Sequence, residues 1–138
     1  MEWTGDYSVG VEHIDKQHQQ FFTFINTLHQ AFYDGRGEEE LRQTLEELND
    51  YAAFHFQSEE AMLHSIKYHM TLNHKDEHKR FAIQAQEFRQ KYQSGNFAIT
   101  VPVMDFMKKW LSGHILNSDK KYARFIEDNN ITIENQGD

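Results

Sequence analysis

LRQTLEELNDYAAFHFQSEEAM, residues 41–62, sets its inward positions in steps of 4, 3, 4, 3, 4 and 3 at Leu41, Leu45, Leu48, Ala52, His55, Glu59 and Met62. That is the stripe of an amphipathic helix packed in a bundle. Leucine, alanine and methionine suit an apolar interior. His55 and Glu59 do not, yet they stand where the pattern demands leucine.

The same rhythm recurs on both sides. His18, Phe21, Ile25, Leu28 and Phe32 step by 3, 4, 3 and 4. Asp15 is the expected N-cap of that helix, and the glycines of DGRG, residues 34–37, end it. His74, His78, Phe81, Ala85, Phe88 and Tyr92 form a third stripe, stopped by SGN at 94–96. Pro102 fits the first turn of a fourth helix, which carries Val103, Met107, Trp110 and His114, then Ile115, Asp119, Tyr122 and Ile126. Between His114 and Asp119 the frame slips by one residue. Five residues of ideal helix turn ~140° past a full circle, so a bulge, a stutter or a broad buried face is needed there.

These patterns predict helices over roughly 15–34, 38–65, 70–93 and 102–128, after an arm at 1–14 where Trp3 and Tyr7 are available to pack. Short loops make the neighbours antiparallel, so the expected fold is an all-α, up-down-up-down four-helix bundle spanning 1–138 as a single domain. The tail ENQGD is read as solvated.

Composition excludes several classes. The chain has no cysteine, which removes disulfides, thiolate metal sites and cysteine nucleophiles. Its net charge of −8 and lack of a large Lys/Arg cluster argue against nucleic acid. No apolar run approaches the ~20 residues of a membrane span. The start MEWTGDYSVGVEH is not an export signal, so the expected location is the cytoplasm. A monomer is expected.

Polar residues of ligand type therefore sit in the apolar stripes of all four helices. His18 heads the first, His55 and Glu59 end the second, His74 and His78 open the third, and His114 and Asp119 lie in the fourth. Alternating helix directions bring all seven into one half of the interior. Burying an unpaired imidazole or carboxylate costs several kcal/mol, and seven would overwhelm a net stability of ~5–15 kcal/mol. A metal centre accounts for all of them at once. Five imidazoles and two carboxylates are too many for one tetrahedral zinc, and two metals bridged by the carboxylates fit the count. The donor set suits iron, and also manganese, cobalt or zinc.

HFQSE (His55, Glu59), HKDEH (His74, His78) and HILNSD (His114, Asp119), preceded by DKQH (His18), resemble the hemerythrin family, most closely the bacterial hemerythrins, in order and spacing. The resemblance runs from Trp3 to about Ile126. It implies a non-haem centre of two iron ions with an oxo or hydroxo bridge, binding dioxygen reversibly for storage, delivery or sensing, and not an enzyme. His74, His78 and His114 would hold one iron, and His18 and His55 the other. Glu59 and Asp119 would bridge them. By position, Phe21, Phe56, Trp110 and Ile115 look like the walls of the family's oxygen pocket. Tyr122, one turn after Asp119, is placed to hydrogen-bond near that bridge. One departure is His69, which follows Tyr68 where relatives often carry proline.

The other histidines read differently. His13 and His69 are expected in loops, His64 on the solvent face and His29 at the far end of the bundle. Rival functions are a di-iron enzyme acting on peroxide or nitric oxide, an oxygen-sensing module excised from a larger signalling protein, and a structural zinc site. No glutamate has a histidine three residues later, which argues against the carboxylate-rich di-iron enzymes, and there is no HExxH motif.

Overall fold

The stripe at 41–62 lies within one long helix, as its period requires. In the computed structural model, which describes residues 1–96 and 98–133, the order is a 3-10 turn at Gly5–Tyr7, then α1 (Glu12–Tyr33), α2 (Gly37–Ser65), α3 (Thr71–Gln93) and α4 (Thr100–Gly113). A π-helical turn over His114–Asp119 then joins α4 to α5 (Lys120–Asp128), so that these three make the fourth rod of the bundle. Helix α1 packs on α2 and α4, and α2 on α3. There is no strand among the described residues, and no described helix is long and apolar enough to cross a membrane. The tail ENQGD lies outside the described residues.

Two corrections concern the start of the chain. Helix α1 begins at Glu12, with Val11 as its N-cap residue, and Asp15 lies inside it. Asp15 instead binds the arm: its carboxylate accepts from Ser8 Oγ at 2.6 Å and from the Val9 amide at 2.9 Å. Its acceptor oxygens are thus taken by the arm rather than by the first amides of its own helix. The helix starts early because Val11 and Ile14 have apolar partners to bury against. The arm itself is pinned by Trp3 and Tyr7, whose rings stand edge-on to Phe22 at 5.4 and 4.8 Å.

The helix ends share one device. Gly35 (φ +78°) and Gly95 (φ +98°) adopt the left-handed conformation that ends α1 and α3. The next amide then reaches five residues back, Arg36 to the Ala31 carbonyl at 2.7 Å and Asn96 to Lys91 at 3.0 Å. Lys67 (φ +56°) plays the same part after α2 without glycine's freedom.

The core is divided. A large apolar body includes Phe21, Ile25, Leu28, Leu41, Leu45, Leu48, Phe81, Val103 and Met107. A smaller one of Val9, Val11, Ile14, Met62, Leu63, Tyr68 and Tyr122 closes the other end. Each fully buried leucine contributes roughly 1.5–3 kcal/mol. Along three of the four rods the polar residues fall between the two: His18 between Ile14 and Phe21, Glu59 between Phe56 and Met62, Asp119 between Ile115 and Tyr122.

Candidate metal centre

All seven residues singled out from the stripes converge in that layer, and none is more than 7% exposed. In α2 the spacing of four puts His55 and Glu59 on one face by ordinary α-helical winding. In the fourth rod a spacing of five does the same only because the winding changes. The Lys120 amide donates to the Ile115 carbonyl five residues back, which is the bond of a π turn. That wider turn buries His114, Ile115 and Asp119 together.

Each carboxylate divides its two oxygens between two sets of imidazoles. Glu59 Oε1 accepts from His74 Nε2 at 2.7 Å and His78 Nε2 at 2.9 Å, with His114 Nε2 at 3.8 Å. Glu59 Oε2 faces His18 Nε2 and His55 Nε2, each at 3.6 Å, and accepts from Tyr122 Oη at 2.9 Å. Asp119 repeats the division: Oδ1 lies 2.8 Å from His74 Nε2 and 3.0 Å from His114 Nε2, and Oδ2 lies 3.2 Å from His18 Nε2. Two sets of donor atoms are close enough to share an ion: Glu59 with His74, His78 and His114, and Glu59 with His18 and His55.

The fit of these groups to metal can be judged from the contacts they lack. Both oxygens of Asp119, and Nε2 of His18 and His114, are buried and make no aligned hydrogen bond despite lying close together. Buried polar atoms are normally satisfied. Donors that crowd one space without pointing at one another suit a cation placed among them. The set is all nitrogen and oxygen, which suits iron and its first-row neighbours.

Without metal the layer is held by protons. Burial would push the His18 and His74 imidazoles down, but the adjoining Asp119 and Glu59 carboxylates overcome it and hold both up at about 9. His114 is driven well above its ordinary value against the same desolvation, chiefly by Asp119. His55 goes the other way, to about 3, because burial dominates and Glu59 is its main favourable neighbour. Burial would raise the Glu59 and Asp119 carboxyls, yet the surrounding imidazoles keep both well below the usual carboxylate range. Burial and Glu59 push the Tyr122 hydroxyl up, so it remains a donor.

Around this layer lie groups the stripes did not single out. His55 Nδ1 donates to Gln17 Oε1 at 2.7 Å, and His78 Nδ1 to Glu60 Oε2 at 2.8 Å. His114 Nδ1 lies 3.1 Å from Glu77 Oε2, whose other oxygen accepts from Ser118 Oγ at 2.8 Å. No stripe singles out Glu60 or Glu77, which adjoin Glu59 and His78 in polar runs. Gln17 could have been found, since it continues the stripe from Ile14 to Phe21 in steps of 3 and 4. His13 is a correction: it lies in α1 and is buried, because the helix begins before it. His69 lies in the turn before α3, His64 is exposed, and His29 packs on Tyr33 near the end of α1.

The four aromatic and aliphatic residues assigned to a pocket surround the layer unequally. Phe21 stands edge-on to His55 at 5.3 Å, and Trp110 stacks on His114 at 4.4 Å. Both line a wholly apolar cavity of about 10 Å³ with Ile25, Leu48, Phe81, Met107 and Leu111. Phe56 and Ile115 do not line it. Phe56 lies flat on His78 at 3.9 Å, and Ile115 is sealed in the core. Tyr122 is near the carboxylates as expected, but it reaches Glu59 on α2 rather than the neighbouring Asp119.

Comparison with known proteins agrees with this arrangement. Residues 9–126 match the family described as hemerythrin HHE cation binding domain. A bacteriohemerythrin of Pseudomonas paraeruginosa is 32% identical over 121 residues, 88% of this chain and 78% of that protein. One from Clostridium acetobutylicum is 31% identical over 127 residues, 87% of this chain and 96% of that protein. A crystal structure of wild-type hemerythrin superposes with a TM-score of 0.81 at 30% identity, covering 90% of this chain and 95% of the other.

Proposed function

The chain belongs to the hemerythrin family, and on that footing we propose that it binds dioxygen reversibly at a non-haem di-iron centre. His74, His78 and His114 would hold one ion, His18 and His55 the other, with Glu59 and Asp119 shared between them. The observation that carries this reading is the division of both buried carboxylates, one oxygen toward each set of imidazoles. Bound iron would supply reversible one-electron chemistry, with dioxygen taken up beside the set that has one histidine fewer.

The chain's own residues do the rest. Tyr122 keeps its proton directed at Glu59 Oε2 and so holds that oxygen in place. Phe21 walls the His55 side with hydrocarbon, and Phe56 and Trp110 cover His78 and His114. The small cavity between Phe21 and Trp110 has no polar lining and sits at the lower limit of volume for one water-sized molecule. An apolar diatomic is favoured there over water, which slows irreversible oxidation. The bundle would thereby act as an oxygen store, carrier or sensor.

Metal analysis with visible spectra under cycled oxygen tests the proposal. Natively loaded protein should contain two iron equivalents, bleach on anaerobic reduction and regain its absorption band in air. Fewer than two equivalents, or oxidation with no reversible oxygenated form, would replace this reading with a different metal site or a di-iron enzyme. Phe56→Ala and Trp110→Ala should each speed autoxidation several-fold; an unchanged rate in both would show that the protective wall lies elsewhere.

A further inference from the structure

The two sets of imidazoles differ most on their outer faces. On the three-histidine side, His78 Nδ1 donates to the Glu60 carboxylate at 2.8 Å. His114 Nδ1 lies 3.1 Å from the Glu77 carboxylate, close enough for charge to act though the two atoms make no aligned hydrogen bond, and Ser118 holds that carboxylate from the π turn. On the two-histidine side, His55 Nδ1 meets a neutral amide, Gln17 Oε1, at 2.7 Å, and His18 Nδ1 is buried without a hydrogen-bond partner. A carboxylate behind an imidazole raises its basicity as a ligand and fixes its ring; an amide fixes the ring without adding charge. The charge behind the ligands is therefore concentrated on one side.

We propose that Glu60 and Glu77 are positioning residues that make the set of His74, His78 and His114 the first metal position to fill and the last to empty, leaving the ion on His18 and His55 as the exchangeable one. The inference rests on the two-metal reading above and goes beyond it by ranking the positions. The outer partners add to the advantage that the set already has from its third histidine. Gln17 is buried in α1 and Glu60 half-buried on α2, so the two sides draw their outer partners from different helices.

The test is titration of the metal-free full chain with cobalt(II), followed by optical spectra, native mass spectrometry and proton NMR. Two equivalents should bind in resolved steps. At one equivalent the strongly shifted exchangeable imidazole signals should number three, from the three-histidine set, rather than two. Glu60→Gln with Glu77→Gln should weaken the first step by roughly 10–100-fold, the usual cost of losing an outer partner, and bring the two steps together. Gln17→Glu, made separately, should tighten the second step and narrow the gap from the other side. Two signals appearing first, or a gap unmoved by the glutamate and glutamine variants, overturns the ranking while leaving two sites. Saturation at a single equivalent would instead defeat the two-metal reading itself.

Discussion

Helix α2 and the fourth rod perform the same task with different windings. In α2 a histidine and a carboxylate four residues apart replace leucines in an unbroken stripe, and the helix is regular through them. In the fourth rod the corresponding pair is five apart, and the backbone opens into a π turn to accept it. Glu59 touches all five imidazoles and takes the Tyr122 hydroxyl. Asp119 touches three of them, and its oxygens have no aligned hydrogen bond. The regular helix thus supplies the hub of the layer. The rewound one supplies a second carboxylate whose fit depends on local backbone shape.

The largest expected effect comes from removing the hub. Glu59→Ala should abolish binding at both positions. In the metal-free protein it should cost about 3–5 kcal/mol, as deletion of one member of a buried charged network does. Asp119→Ala should cost less, since fewer imidazoles lose a partner. Urea denaturation of the two metal-free variants measures the difference; equal losses would mean the carboxylates are equivalent despite their different surroundings.

The next effect isolates the winding itself. Deleting Asn117, an exposed residue of the π turn, would leave His114 and Asp119 four apart, as His55 and Glu59 are. Tyr122 and Ile126 would then continue the upstream stripe, so the bundle should fold with nearly unchanged helix content. Asp119 would shift by about 1.5 Å along the axis, beyond the ~0.5 Å within which site groups must be held. Bound metal should fall below two equivalents. Two tightly bound equivalents in this variant would show that the π turn is not what sets the site.

The same contrast decides what could be read from sequence. The stripe at 41–62 announced both the helix and its two misplaced polar residues, because periodicity and ligand chemistry coincide there. The slip between His114 and Asp119 was visible as an irregularity, but the choice among bulge, stutter and broad face is a matter of backbone hydrogen bonding that residue types do not encode. Glu60 and Glu77 escaped notice for the opposite reason: glutamates in a polar run look solvated, and only the packing of α2 on α3, and of α3 on the π turn, brings them to His78 and His114. His13 and Asp15 were misjudged together. A good N-cap residue misled because its side chain had a better use, tying down Ser8 and Val9.

Acid–base behaviour sharpens the comparison further. His18 and His74 each lie beside both carboxylates and are raised to about 9, whereas His55 is lowered to about 3 by burial, with Glu59 beside it and Asp119 acting only from farther off. A raised imidazole stabilises the fold fully below its ordinary value of 6.5, and that contribution is lost as pH climbs to 9. A lowered one opposes the fold as pH falls from 6.5 toward 3. The depressed Glu59 and Asp119 carboxyls stabilise above their ordinary values and lose this in acid. Metal-free protein should therefore lose melting temperature between pH 6.5 and 9. Loaded protein should lose little there, because cations have replaced those protons. Parallel melting curves for the two forms across that window would mean that the imidazoles are not protonated in the metal-free layer.

The smallest effect concerns a hydrogen bond that joins the two windings, from Tyr122 on α5 to Glu59 on α2. Tyr122→Phe keeps a ring that is fully buried and removes only the hydroxyl. A hydrogen bond to a charged acceptor is worth about 1.5–3 kcal/mol. The loss should fall near the lower figure, because Glu59 keeps its imidazole neighbours. The variant should still bind two metal equivalents, since the hydroxyl contacts a carboxylate oxygen and no imidazole. A denaturation midpoint unchanged from the parent would show that the bond contributes nothing to the fold. Loss of an ion would show that Glu59 needs the tyrosine to serve both sets of histidines, making the regular helix as dependent on outside support as the rewound one.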